Sequence, residues 1–154
     1  MKLTQYLATG ILLLGVVGLA LGGAFIYQGV SKHNQLEEAM RVEHVTLGIE
    51  NGELEGQVID SLKEAETAGD IIREHRRSIA PTYSDLLGGG RFNPEDPEQL
   101  SYAQAMNLET YLYLAVVAFG VVEATLGSGV FMVVAGLALT GTSMALYRLG
   151  KVTA

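Results

Sequence analysis

The sequence has no cysteine, and it has almost no charge outside its middle. Without cysteine the chain can form no disulfide framework, no thiol nucleophile and no thiolate metal site, although either side of a membrane remains open to it. Residues 32–109 hold seven Lys or Arg against sixteen Asp or Glu, so this part is strongly acidic. An acidic surface argues against a nucleic-acid partner and against docking on anionic lipid headgroups.

The first uncharged run covers residues 6–28 and predicts a membrane span. About 20 apolar residues, at a rise of 1.5 Å each, cross a hydrocarbon core of about 30 Å. Tyr6 and Tyr27 stand at the two ends, where amphipathic rings favour the interface. We therefore expect an N-terminal transmembrane helix over residues 1–30. A cleaved signal peptide is the alternative, because LALGGA resembles a small-residue cleavage site.

The second apolar region predicts a transmembrane helical hairpin over residues 110–148. Asp96, Pro97 and Glu98 are typical of a helix start, with an N-cap, a proline at the first helical position and an acid in the first turn. This helix is predicted to continue to Leu126. The segment 127–129 (Gly-Ser-Gly) is then expected to form a tight turn before a third span.

Residues 31–109 are predicted to form an acidic extramembrane segment. The first span is expected to continue as a helix through residues 31–44, and the pair at 51–52 (Asn-Gly) indicates either a short β-hairpin or an irregular loop. A further helix is capped by Asp60 or Ser61, carries the apolar positions Ala65, Ala68 and Ile72, and ends before Pro81. The stretch that follows, with three glycines at 88–90, is predicted to be a loop.

The predicted fold is thus an all-α membrane protein of three transmembrane helices, two of them extended beyond the membrane, with a small and mostly helical polar middle. Small residues recur at helical spacing on the spans and let helix backbones approach closely. They are candidates for helix packing: Gly15, Gly18, Gly22, Gly120, Ala124, Gly136 and Thr140. Packing among the chain's own spans and self-association are both open on this evidence.

Glu123 is the one ionisable residue within the predicted spans. An acid inside a span is a candidate for an ion or proton pathway. The alternative is that its carboxylate reaches the interface, because Gly127 and the predicted turn are only one helical turn away. A pathway usually needs more than one polar group, and no span supplies a second ionisable residue.

A second candidate site lies on the polar helix. Glu66, Asp70 and Glu74 share one face at spacings of four residues, with His75 adjacent, and oxygen ligands in this pattern suit a weak cation site. The alternative is a solvated acidic face paired with neighbouring arginines. No HExxH or nucleophile–base pattern is present. We therefore predict no metal centre, no cofactor and no enzymatic activity.

Several stretches after Ala68 resemble an uncharacterised family of small bacterial membrane proteins that is common in actinobacteria. They are DIIREH from Asp70, TYSDL from Thr82, the Asp96-Pro97 helix start, LAVVAFGV from Leu114, and the final span. The resemblance implies the same plan of an N-terminal span, a polar middle and a C-terminal hairpin. Members are sometimes labelled ring-opening dioxygenases, but no triad of two histidines and a carboxylate supports that activity in this sequence.

Three spans would place the two termini on opposite faces of a plasma membrane. Counting Lys and Arg favours a cytoplasmic middle, whereas the signal-like N-terminus favours the opposite, and we lean to an extracytoplasmic middle. The leading functional hypothesis is a non-enzymatic membrane subunit or scaffold that packs with itself or with a larger complex through glycine-lined spans. A regulator that binds a cation or a cationic partner through the acidic middle, and a minimal ion or proton pathway that uses Glu123, are the alternatives.

Overall fold

The structure, a computed structural model, describes residues 2–46 and 56–152. Within these ranges the regular secondary structure consists of helices alone, with no β-strand. The four helices are α1 (Lys2–Val42), α2 (Leu62–Ile79), α3 (Tyr83–Leu87) and α4 (Pro97–Val152). One isolated antiparallel bridge joins Thr46 to Val58. The hairpin predicted around Asn51 and Gly52 lies outside the described residues.

Local capping explains where α2 and α4 begin, and it confirms both predicted starts. Ser61 caps α2 and forms a capping box with Glu64, in which each side chain accepts from the other residue's backbone N–H. At α4, the Asp96 carboxylate accepts from the backbone N–H of Glu98 at 2.9 Å, and Pro97 is the first helical residue. The predicted continuation of the first helix into the polar segment is also confirmed, because α1 is unbroken to Val42.

The predicted C-terminal hairpin is wrong. α4 is one continuous helix of 56 residues, and residues 127–129 are helical within it. The physical reason lies in what the small residues do there. A Cβ at Gly129 would lie 2.8–3.0 Å from atoms of Ile26 and Gly22, so this glycine permits close helix contact instead of a turn. Ser128 donates its hydroxyl to the Ala124 carbonyl at 2.8 Å, which satisfies a polar side chain inside the helix.

The chain divides into two compact units, each built from parts of α1 and α4. The anchor unit comprises residues 1–33 and 121–154, and the middle unit comprises residues 34–120. This division explains why the apolar run of α4 is longer than a membrane span. In the middle unit its early turns lie in a protein core, where the buried members are Ile59, Ala65, Ala68, Ile72, Ala105 and Leu112. The predicted apolar stripe of α2 is among them.

In the anchor unit, α1 and α4 are antiparallel. Ala8 lies near Ser143, Gly15 near Gly136 and Thr140, and Gly22 near Gly129, so the numbers rise along one helix as they fall along the other. The first residues of α1 and the last residues of α4 therefore share one end of the pair. The expectation of three spans, with termini on opposite faces, does not fit this arrangement.

Two helices of the described chain are long and apolar enough to cross a membrane, within Leu3–Val42 and Pro97–Gly150. Only 11% and 17% of their most apolar stretches are buried, whereas the core helix of a soluble protein is mostly buried. By length and composition, this supports the membrane location. The described residues thus contain two candidate spans, whereas the sequence predicted three.

Candidate functional site

Most of the small residues predicted for helix packing lie at the contact between α1 and α4. A Cβ at Gly15 would lie 2.9 Å from the Gly136 carbonyl oxygen, and one at Gly22 would lie 2.7 Å from the Gly129 carbonyl oxygen. A Cβ at Gly18 would lie 3.4 Å from the Met132 carbonyl oxygen. At Gly15 and Gly22 only glycine lets the two backbones approach so closely. These predicted packing residues thus lie at a contact within the chain itself.

Gly120 does not belong to this contact, and Ala124 borders a groove at its edge with Phe25 and Gln28 of α1. A Cβ at Gly120 would meet nothing within 4 Å, and Ala124 is exposed. The sequence analysis missed Gly129, which it assigned to a turn, and Gly29, whose Cβ would lie 2.6 Å from the Leu126 side chain. The available signal was a seven-residue spacing, about two helical turns, from Gly22 to Gly29 on α1 and from Gly129 to Gly136 on α4.

Two polar contacts also join the helices of the anchor unit. Ser143, which is fully buried, donates its hydroxyl to the Ala8 carbonyl at 2.7 Å. The hydroxyls of Thr9 and Tyr147 lie 2.5 Å apart near the shared end of the two helices. Such bonds between helices help to fix the register of the pair.

Glu123 is exposed on α4 and lies close to one end of the paired region. Leu126, one helical turn further along, contacts Gly29 of α1. This position fits the interfacial interpretation of the carboxylate.

The acidic face of α2 is not assembled as a cation site. The Asp70 carboxylate accepts from the Arg73 guanidinium at 2.6 Å and from the Tyr113 hydroxyl at 2.5 Å. Glu74 and His75 are exposed. In the part of the chain that the structure describes, no group of three His, Asp or Glu side chains is placed to hold a metal ion. Glu66 and the other predicted ligands therefore remain separate groups.

The middle unit brings together a buried polar cluster that the sequence analysis did not predict. Arg76 of α2 donates from Nε to the Glu109 carboxylate of α4 at 2.6 Å and from Nη1 to the Tyr102 hydroxyl at 2.5 Å. Its guanidinium also lies 5.1 Å from the centroid of the Tyr102 ring. The side chains of Arg76 and Glu109 are only 13% and 14% exposed. The hydrogen bond to Glu109 raises the pKa of Arg76 despite this burial, so the guanidinium stays charged.

Tyr113 extends this contact along α4. Burial and the hydrogen bond to the Asp70 carboxylate raise the pKa of Tyr113 to about 12, so its hydroxyl remains a donor. The Arg73 guanidinium lies 5.5 Å from the same ring. Arg73 and Arg76 thus each bind a carboxylate and lie against the ring of a tyrosine of α4. Together they attach α2 to α4.

Helix α3 supplies the next wall, and the sequence analysis placed a loop there. Thr82 caps it by accepting from the Asp85 backbone N–H at 3.2 Å, and Gly88 ends it in the left-handed conformation at φ 54°. The signal was a Thr and an Asp three residues apart with a glycine after them. The capped turn places the Tyr83 ring 6.2 Å from the buried Tyr102 ring, at an angle of 38°.

These elements enclose an open cavity of about 550 Å³ on the middle unit. Its lining is aromatic and basic, with one acid: Arg76, Arg77, Pro81, Thr82, Tyr83, Tyr102, Met106, Glu109, Thr110 and Tyr113. The sequence analysis assigned the neighbouring arginines only to pairing with the acidic face of α2. Tyr102 and Glu109, seven residues apart on one face of α4, were the available signal for a partner.

Comparison of the chain with protein-family models, with curated proteins and with solved structures finds no match. The family resemblance drawn from the sequence therefore stays a prediction.

Proposed function

We propose that the chain is a non-enzymatic subunit of the plasma membrane, in which the pair α1 and α4 spans the bilayer twice and holds residues 34–120 as a docking module for a larger membrane complex. The observation that carries this proposal is the closed, antiparallel contact of the two glycine-lined helices. An anchor that is complete within one chain leaves the middle unit as the part available to a partner.

The outward faces of the anchor suit lipid. Large apolar side chains project away from the contact along both helices, and an exposed apolar surface of this extent is a liability in water. They include Leu13, Leu14, Val17 and Leu21 on α1 and Phe131, Val134 and Leu137 on α4. In a bilayer these side chains would meet acyl chains, and the backbone polar groups would already be satisfied within the helices.

Packing also favours a retained first helix. If α1 were removed as a signal peptide, α4 would lose the partner that covers Gly129 and Gly136, together with the acceptor for the buried Ser143 hydroxyl. A buried donor left without a partner costs about 1–3 kcal/mol.

The charges suggest an orientation. Lys2, Arg148 and Lys151 lie at the shared end of the two helices, and the first two helical turns of α1 contain no acid. Because short basic flanks are retained in the cytoplasm, this end would be cytoplasmic and the acidic middle extracytoplasmic.

Single-cysteine labelling tests the two-span arrangement cleanly, since the natural chain has no cysteine. We would place one cysteine in each of three variants (Thr4→Cys, Ser101→Cys and Gly150→Cys) and treat intact cells with a membrane-impermeant maleimide. Two spans require Thr4→Cys and Gly150→Cys to react alike, protected in intact cells and labelled after lysis, while Ser101→Cys reacts in intact cells. Opposite behaviour of Thr4→Cys and Gly150→Cys would restore three spans.

The subunit role needs a separate experiment. Crosslinking in membranes, followed by native mass spectrometry of the gently solubilised protein, should show the chain in a defined complex. A strictly monomeric chain with no crosslinked partner would contradict a subunit or scaffold role while leaving the anchor intact.

A further inference from the structure

We propose that the cavity between α2, α3 and α4 in the middle unit binds a small ligand that carries one carboxylate on a flat apolar body. This inference goes beyond the anchoring role and does not depend on it, because every residue of the cavity belongs to residues 34–120.

The charge of the cavity identifies the ligand's polar end. Arg76 is neutralised by Glu109, which it contacts at 2.6 Å. Arg77 lines the same cavity, is exposed, and has no ion-pair or hydrogen-bond partner among the described residues. One guanidinium is therefore free to bind a ligand, and the planar geometry of its N–H groups matches a carboxylate through two parallel hydrogen bonds.

The surroundings limit the ligand to a single negative charge. Sixteen Asp or Glu lie between residues 32 and 109 against seven Lys or Arg, and Glu109 stands in the cavity wall itself. A polyanion such as a nucleoside triphosphate would meet repulsion that one free guanidinium does not offset. One carboxylate can be matched by Arg77 alone.

The aromatic and apolar side chains of the cavity wall indicate that the rest of the ligand is flat and apolar. Tyr83 is 41% exposed although its neighbour Tyr102 is fully buried, so one aromatic ring faces the opening. Pro81 and Met106 add further apolar surface. Flat rings stack on tyrosine at offset or tilted angles, and thioethers adapt to the shape of an aromatic partner. The volume of about 550 Å³ falls within the range of small-molecule sites.

The cavity is also held in shape before any ligand binds. Arg76 connects α2 to Tyr102 and Glu109 of α4, and the caps of α3 at Thr82 and Gly88 fix the position of Tyr83. A preformed site loses less conformational entropy on binding than one that must be ordered.

The test uses the full chain in lipid nanodiscs and saturation-transfer NMR, with phenylacetate as the probe and empty nanodiscs as the blank. We expect saturable binding with a Kd of about 1 mM or below. Arg77→Gln should weaken it by about tenfold, the equivalent of one charge-assisted contact. Arg91→Gln, which removes the same charge from an exposed loop position of the middle unit, should leave the Kd within about twofold.

Two further probes complete the design. 2-Phenylethanol keeps the ring and lacks the carboxylate, so it should bind about tenfold more weakly than phenylacetate. N-Acetylphenylalanine presents the carboxylate as a peptide C-terminus does; tighter binding than phenylacetate would assign the site to a peptide end, and weaker binding to a free small molecule. Absence of saturable binding by both carboxylates would overturn the proposal. So would equal losses in Arg77→Gln and Arg91→Gln, because binding would then reflect general charge.

Discussion

At the scale of single residues, the ion pair of Arg76 and Glu109 has the largest energetic consequence. Moving two charges out of water costs several kcal/mol each, and their attraction offsets that cost only with good geometry and further hydrogen bonds. Here the Tyr102 hydroxyl accepts the second guanidinium bond at 2.5 Å, and the Tyr102 ring lies below the cation. The pair is thus matched as long as both partners remain, and the loss of either leaves a buried charge.

We expect Arg76→Met to destabilise the middle unit by about 3–5 kcal/mol, because it leaves the Glu109 carboxylate buried without its cation. The double variant Arg76→Met with Glu109→Leu should recover most of that loss, since both charges are then replaced by apolar groups of similar size. Thermal unfolding followed by circular dichroism in a mild detergent measures both. If the double variant were no more stable than Arg76→Met, the pair would not be the source of the effect.

The capping box of α2 predicts that the stability of the fold depends on pH. Burial alone would raise the pKa of Glu64, but the backbone N–H groups of Asp60 and Ser61 donate to its carboxylate, and the net result is a pKa below the usual 4.5. A lowered pKa in the folded state stabilises the fold above pH 4.5, and this contribution is lost as the pH falls through the folded-state value. Burial and the Glu64 charge raise the pKa of Asp60 above its usual 3.8, which acts in the opposite direction.

Glu64→Gln should therefore be less stable than the natural chain near neutral pH, by about 1 kcal/mol, the usual worth of a cap. The difference should shrink as the pH falls from 4.5 through the lowered folded-state pKa of Glu64, because the natural side chain is then protonated as well. Melting curves of both proteins across this range provide the measurement. A difference that stays constant with pH would show that the carboxylate charge has no part in the cap.

At the scale of helices, the contact between α1 and α4 depends on which glycine faces the partner. Gly22 and Gly23 are neighbours in sequence but differ in surroundings. A Cβ at Gly22 would lie 2.7 Å from the Gly129 carbonyl oxygen and 2.9 Å from the Val133 nitrogen, whereas a Cβ at Gly23 would meet nothing within 4 Å. The adjacent pair is a matched control for backbone contact.

Gly22→Ala should destabilise the helix pair by about 1–3 kcal/mol, because the added methyl meets backbone that cannot move aside. Gly23→Ala should be neutral or stabilising by up to about 1 kcal/mol, since alanine favours a helix more than glycine does. Thermal aggregation midpoints in nonionic detergent would separate the two variants. Equal effects of the two substitutions would show that the helices do not meet at Gly22.

The helices also show which features can be read from local sequence. The starts of α2 and α4 and the apolar stripe of α2 follow from spacing within a few residues, and they were predicted correctly. The segment 127–129 was not, because a glycine favours a turn and a close helix contact equally, and only the partner helix decides between them. The cluster of Arg76, Tyr102 and Glu109 joins residues 26 and 33 positions apart, a distance at which periodicity carries no information.

At the scale of the whole molecule, the apolar residues of α4 pack in two different places. Its early turns pack in the core of the middle unit with Ala65, Ala68 and Ile72, and its later turns pack against α1. Residues 110–148 are apolar over a length that suits two membrane crossings, so the sequence predicted two spans there. The structure has one continuous helix instead. Part of this apolar stretch, including Leu112, packs in the core of the middle unit.

A two-span anchor makes the orientation depend on a small set of charges at one end. Lys2, Arg148 and Lys151 are separated by almost the whole sequence, yet the antiparallel pairing of α1 and α4 brings their helix ends together. Reversing all three to Glu should invert or mix the orientation, because basic flanks of short terminal segments set which side stays in the cytoplasm. Labelling of Ser101→Cys by the impermeant maleimide would then fall in intact cells. Arg91→Glu changes charge within the middle instead and should leave labelling unchanged; if the triple reversal also left it unchanged, the terminal charges would not determine the orientation.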